Sequence, residues 1–360
     1  MKKLLSGLFR GGLYSIILVA AAYIIFCIDA PTRYVVTEQY NFNSKEKSKI
    51  AIAVLVPQNM TYQQISNLKI EGGEKVTVRD TARVQIVIVG PMEVKDSTVL
   101  LSYDVYLPKG SISWPGITTL GDLSPQQGIE SDNPELIAKS KSIASGQTME
   151  DARKIYNFVS TWLRWPSGKK INITSSAMIA YKSKEGGCQD FARLLTTMLR
   201  ANGIPARSIS GLALPQYVNS KKSAIWSHTA GAHAWVEFFA DGQWHFADPS
   251  WGGSRHFNRC DGFHLSFDEE QSERQIYELS KSLLVDKFAT GIPADSTYSI
   301  IGAMSAPLKF IAVASNKGVK ISPTGMVKIN YGYRFPAMII IIILMVVYEF
   351  LIRSILKNKR

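Results

Sequence analysis

The chain has 360 residues, 46% hydrophobic and 19% charged, a balance that excludes a disordered polypeptide and leaves room for about two packed domains. Three cysteines (Cys27, Cys188, Cys260) exclude a disulfide-rich scaffold and any multi-cysteine zinc or iron–sulfur centre. A net charge of +12 would suit a polyanionic partner, but that inference depends on where the charges lie.

Residues Leu13–Ala30 and Phe335–Ile352 are two runs of eighteen residues, with Asp29 and Glu349 as their only charges. A hydrocarbon layer about 30 Å thick needs roughly 20 mostly apolar residues, so both runs predict transmembrane helices. The first is longer than a usual signal-peptide core, no A-x-A cleavage site follows it, and Phe26 before Cys27 does not suit lipoprotein processing. Lys2, Lys3 and Arg10 precede the first span; Arg353, Lys357, Lys359 and Arg360 follow the second. Basic flanks stay inside, so tails 1–12 and 353–360 are expected to be cytoplasmic and residues 31–334 to lie outside. More than half of the net charge is then orientation signal, and a nucleic-acid partner is not expected.

Residues 32–110 predict a small β-sandwich-like domain. Tyr34–Val36, Ile50–Val56, Arg83–Val89 and Val99–Val105 are short β-rich runs, separated by turn-rich stretches such as Glu71-Gly72-Gly73 and Gly90-Pro91. Residues 111–133, rich in Gly, Ser and Pro, read as a linker. From Pro134 the apolar residues recur at helical spacing: Leu136, Ile137 and Ile143, then Ala152, Ile155, Tyr156, Val159 and Leu163. Trp162 and Trp165 are expected in the core. A further helix begins at Cys188, striped by Phe191, Leu194, Leu195 and Met198, and Asn202-Gly203 supplies its stop. Strands follow over Ala234–Phe239 and Trp244–Ala247 around an Asp241-Gly242 turn. A helix is expected near Asp268–Leu284, and late strands at Leu308–Val313 and Gly325–Ile329.

The chemistry concentrates at three residues. A thiol at Cys188 follows Gly186-Gly187 at a helix start, where unsatisfied N–H groups and the positive dipole end favour the thiolate. A buried structural cysteine is the bland alternative. A two-residue turn makes Ala240 oppose Gln243, which brings Asp248 opposite Trp235 and onto one face with His233 at diagonal spacing. An imidazole oriented by a carboxylate is the arrangement of a general base. Taken singly, His233 reads as a structural histidine and Asp248 as a turn former before Pro249; with Cys188 they read as a triad. The Cys188 backbone N–H is the natural oxyanion donor. His245 falls on the face opposite Asp248, and His228 in a loop. A His256/His264/Cys260 metal site and a Cys188–Cys260 redox pair are weaker alternatives, so no metal or cofactor is expected.

The run Gly186-Gly187-Cys188-Gln189-Asp190-Phe191-Ala192, with Gly203-Ile204-Pro205-Ala206-Arg207, resembles the cysteine segment of the transglutaminase-like superfamily. His233-Ala234-Trp235-Val236-Glu237 is similar to its histidine strand, and Asp248-Pro249-Ser250 to its aspartate strand, where Thr or Ser usually follows Pro. The resemblance implies an α+β, papain-like core over 134–300, with an uncertain β-rich segment at 301–334. It implies Cys188 as nucleophile, His233 as base and Asp248 as orienter. The expected function is a membrane-anchored extracytoplasmic cysteine enzyme acting on amide bonds of protein or peptide, cell-wall peptide included. Peptidase or amidase action is favoured; glutamine acyl transfer and a non-catalytic binding scaffold are the alternatives.

Overall fold

The computed structural model describes residues 14, 16–21, 33–73, 76–166, 176–214, 224–226, 231–269, 273–289, 299–303, 309–315, 318–330 and 335–358. His228 and most of the first expected span lie outside these residues. The chain divides into two units, residues 1–34 with 329–360, and residues 35–328.

In the second unit, β1 (Arg33–Pro57) is one long strand where two short ones were expected. Its burial alternates at first and becomes continuous from Ile50, as a strand covered first on one face and then on both. β2 (Gln64–Glu71) and β3 (Val76–Asp80) pair with β4 (Val84–Tyr106), which runs through Gly90-Pro91 instead of breaking there. Gly90 has φ 105°, and a Cβ there would stand 2.7 Å from the Ile50 carbonyl oxygen. Only glycine permits that approach, and it lets the strand continue past the bend.

β5 (Lys109–Gly110) and β6 (Ser113–Trp114) follow. The stretch 111–133 is more than a connector: β6 pairs with a core strand, and Ile129 is buried. Four helices come next. α1 (Pro134–Ile143) is capped by Asn133, with Pro134 in its first turn. α2 (Met149–Trp162) starts on a capping box between Thr148 and Asp151, α3 spans Ala177–Ser183, and α4 spans Cys188–Ala201. α4 ends at Asn202, with Gly203 at φ 84° as the spacing required.

β7 (Ala206–Ala213), β8 (Ala224–Trp226), β9 (Ala232–Ala240), β10 (Gln243–Ala247), β11 (Cys260–Asp261) and β12 (His264–Glu269) complete the core region. The core sheet has the order β12-β7-β9-β10-β6. One face of β9 offers Ala234, Val236 and Phe238 to a cluster with Ile155, Val159, Leu194, Leu195 and Met198 from the helices. The other face carries Trp235, packed with Trp114, Trp244, Phe246 and Cys260. This is an α+β arrangement, a sheet with its helices on one side. Asp268 and Glu269 belong to β12, so the helix expected from Asp268 starts later, as α5 (Glu273–Ala289). β13 (Ser299–Ala303), β14 (Phe310–Ala314) and β15 (Lys320–Ile329) then return to the sheet containing β1, with β14 paired to β1 over Ile50–Val54. The late segment thus belongs with the N-terminal strands. No local pattern could announce a pairing across some 260 residues of chain.

In the first unit, residues 16–21 are helical and α6 spans Phe335–Asn358. Ile339, Ile340, Ile342, Ile343, Leu344 and Val346 of α6 are exposed. Among the described residues, no helix is long and apolar enough to cross a membrane.

Glu38 is buried in β1 and accepts hydrogen bonds from the Tyr40 hydroxyl at 2.7 Å and the Tyr103 hydroxyl at 2.9 Å. Burial, only partly offset by these bonds, raises its carboxyl from 4.5 to about 7. The folded state therefore holds a proton that the unfolded chain releases first, and stability falls as pH rises from 4.5 towards about 7. Glu38→Gln should flatten this slope and raise stability at pH 8 by roughly 2 kcal/mol, measured by urea unfolding across pH. An unchanged slope would contradict the neutral buried carboxyl.

Candidate active site

Asp241 and Gly242 have φ of 49° and 80°, the left-handed pair that a type I′ hairpin needs. β9 and β10 pair from Ala240 with Gln243 to Val236 with Ala247, the register expected from a two-residue turn. Asp248 follows directly, and His233 Nε2 donates to its Oδ2 at 2.8 Å. His245, on the other face, lies instead against Asn258 Oδ1 and the Ala240 carbonyl.

Cys188 is the first residue of α4, with Gly187 as N-cap, and is half-buried. Cys188 lies close enough to His233 to act on the charge of its ring. Asp248 occupies Nε2 of that ring, so Nδ1 is the nitrogen left for the sulfur. Burial disfavours charge on His233, but the Asp248 carboxylate and then Cys188 outweigh it, pushing the imidazole up to about 10. The three expected residues thus form one connected series.

The first glycine of the pair makes room for the cap of this helix. A Cβ on Gly186 would stand 2.4 Å from Asp190 Cβ. Asp190 needs that space because its carboxylate accepts from the Gly187 N–H at 2.8 Å and caps the helix start that presents Cys188.

Asp248 is fully buried and divides its work between two oxygens. Oδ1 accepts from Ser250 N (2.8 Å), Ser250 Oγ (2.7 Å) and Trp251 N (3.3 Å), which makes the Asp-Pro-Ser turn. Oδ2 accepts from His233 and also from His264 Nε2 at 3.1 Å. The turn contacts of this residue thus fall on one oxygen and its histidine contacts on the other. Burial alone would raise its carboxyl, but the two histidines hold it well below the usual carboxylate range. The Tyr156 hydroxyl of α2 lies 3.0 Å from both the Asp248 and Gly253 carbonyl oxygens and ties the turn to the helix layer.

Four features were not read from the sequence: His264 as a partner of Asp248, Tyr156 as its support, the Trp251 ring 5.0 Å from His233, and the charge cluster around Glu237. Glu237, buried four residues beyond His233, pairs with Arg83 and Arg207, and Arg207 also reaches Glu269. The Tyr62 hydroxyl donates to it as well. Glu237 and Arg207 stood in the runs that carry the family resemblance, and Arg83 at the start of an expected strand. Trp162 packs against the core and donates to the Tyr181 carbonyl, whereas Trp165 is 50% exposed and not the core residue expected.

Ligand atoms of His233, Asp248 and His264 lie within 4.8 Å of one another, a spacing that could hold a cation. Each is already engaged by hydrogen bonds, and His264 faces carboxylates through both ring nitrogens. A ring that donates from both nitrogens has no lone pair for a metal, so the donor set does not fit one. The weaker His256/His264/Cys260 metal reading fares no better, because His264 takes Asp261 instead. Cys188 and Cys260 are both free thiols, and Cys260 is buried among aromatic side chains that raise its pKa by burial.

Residues 137–249 match the model of the transglutaminase-like superfamily core. An 80-residue segment is 36% identical to an uncharacterized protein of Mycobacterium leprae; it covers 22% of this chain and only about a quarter (26%) of that protein. Among solved structures, the chain is similar to a candidate cysteine protease from Cytophaga hutchinsonii (13% identity, 83% of this chain and 98% of that one, TM-score 0.46). It is also similar to the periplasmic domain of TgpA from Pseudomonas aeruginosa bound to ethylmercury (16% identity, 65% and 94%, TM-score 0.35). At these scores neither likeness bears on activity.

Gly186→Ala forces Asp190 out of its capping position, and should lower stability by about 1–3 kcal/mol and slow Cys188 alkylation by iodoacetamide. Unchanged stability and alkylation rate would show that the cap does not depend on this glycine.

Proposed function

From a chain whose residues 137–249 are a transglutaminase-like superfamily core, we propose a membrane-anchored, extracytoplasmic cysteine enzyme that acts on amide bonds of protein or peptide substrates. The observation that carries this reading is His233, hydrogen-bonded to the buried Asp248 carboxylate and close enough to Cys188 for the two to act on each other's charge.

The Cys188 thiolate attacks the amide carbonyl carbon while His233 holds the proton as an imidazolium. The resulting oxyanion meets the Cys188 backbone N–H, which has no acceptor within the helix because it belongs to the first turn. His233 then delivers its proton to the leaving amine as the C–N bond breaks, leaving a thioester on Cys188. Water, deprotonated by His233, releases the acid; a second amine in place of water gives transfer. Hydrolysis is the working reading on the family resemblance, with cell-wall peptide as one form of the substrate.

The anchor reading is supported by the two eighteen-residue apolar runs, by their basic flanks, and by the exposed isoleucines of α6. With tags at both termini of the full chain in intact cells, external protease should spare both tags. Removal of both from outside would reverse the orientation.

An electrophile directed at thiols should label Cys188 faster than free cysteine near neutral pH, and His233→Ala should cost at least ~100-fold of that advantage. A Cys188 no more reactive than free cysteine would sink the enzymatic reading. Incubation with glutamine-containing peptides and a primary amine separates the two chemistries. Backbone cleavage marks a peptidase, whereas ammonia release with amine incorporation marks transfer and would overturn the hydrolytic form.

A further inference from the structure

His264 is buried and opens β12, two strands away from His233 across β7. Within β7, Gly211 pairs with His233 and Ala213 with His264, two small residues of the same parity on the same face. A Cβ on Gly211 would stand 2.5 Å from the Trp235 ring and 2.1 Å from the Leu265 carbonyl oxygen, so the intervening strand is kept bare there. Strands two places apart are separated by about 10 Å, yet the two imidazole centroids approach to 5.1 Å over this gap.

The partners of His264 fix its protonation. Nε2 lies 3.1 Å from Asp248 Oδ2 and Nδ1 lies 2.9 Å from Asp261 Oδ1. An ionised carboxylate only accepts, so a neutral ring would have to point its lone pair at an anion. Both carboxyls are held below the usual range, Asp261 by His264, His256 and the Phe263 N–H against the effect of burial. The ring must therefore carry both protons, and its own pKa is raised by the two aspartates despite burial. The charged and titratable groups around it are Asp248 after β10, Asp261 on β11, His233 on β9 and, beyond Asp261, His256 at 3.3 Å. Trp251, Trp235 and Phe246 form the rest of its surroundings, with ring centroids 4.6 to 4.9 Å away.

Cys188–His233–Asp248 chemistry makes His233 alternate between charged and neutral. Each time His233 gives its proton to a leaving amine, a fully buried Asp248 would lose its only counter-charge, a costly state that would make the imidazolium a reluctant acid. A second, constant cation on the same carboxylate oxygen removes that difficulty. We propose that His264 is a permanently protonated second partner of Asp248, a positioning residue that keeps the buried carboxylate compensated while His233 takes and releases its proton. This rests on the thiol-enzyme reading for its purpose, though not for its structure.

The test is ¹⁵N NMR of the full chain with labelled histidine, alongside Cys188 labelling of the same samples. In the wild type, both His264 ring nitrogens should stay in the protonated range from about pH 5 to about pH 9. His264→Gln keeps a donor for Asp248 but removes the charge, and His233 should then titrate about one unit higher. A purely structural His264 would instead leave the His233 titration unmoved, or lower it by loosening Asp248, and either result overturns the proposal. Should His264→Gln not fold, Asp261→Asn decides: His264 should then lose its proton within the accessible pH range. A His264 ring carrying one proton in the wild type also overturns it. If the wild-type ring is doubly protonated but Cys188 is no more reactive than free cysteine, the enzyme reading fails and this assignment stands.

Discussion

A carboxylate taken wholly out of water is stable only if every lone pair is met, and Asp248 is the place where this protein accepts that constraint. Five donors surround it: Ser250 N and Oγ, Trp251 N, and one nitrogen each from His233 and His264. They come from the turn after β10, from β9 and from β12, so the anion holds three separate chain segments in register. Tyr156 adds the helix layer through the Asp248 carbonyl. A half-satisfied network of this kind would be worse than an apolar core, which is why its members must be present together.

The same sheet face carries a second buried anion. His233, Trp235 and Glu237 share one face of β9, and Glu237 is paired with Arg83 at its far end. Arg83 precedes β4, and Tyr62, which also donates to Glu237, lies between β1 and β2. The N-terminal strands are thereby joined to the core sheet by charge as well as by the Tyr62 ring, which packs against Trp114 with centroids 5.1 Å apart. One face of the sheet is thus held by ionic clusters at both ends of β9, and the other by ordinary apolar packing on α2 and α4.

Local geometry was legible wherever a single short-range rule decides it. The Asp241-Gly242 turn admits one common register, and that register alone carries Asp248 to His233. The stripe of Phe191, Leu194, Leu195 and Met198 behind Gly-Gly-Cys likewise required a helix that starts at the thiol. What could not be read depends on distant pairing. His264 reaches Asp248 only because β12 lies beside β7, and nothing near residue 264 announces that neighbour. The late strands β13 to β15 join β1 for the same kind of reason. Gly90-Pro91 misled in the opposite direction, since a dipeptide that usually ends a strand here bends one that continues.

The central claim is that this constellation makes Cys188 a nucleophile that forms and releases an acyl intermediate. The most direct measurement is rapid mixing of the full chain with an activated aryl ester, followed by acid quench and mass analysis of the Cys188 and Cys260 peptides. The account predicts a burst of leaving group close to one equivalent, with the acyl mass on Cys188 alone, decaying as turnover proceeds. No burst, or an acyl group distributed over Cys260 and other side chains, would contradict it.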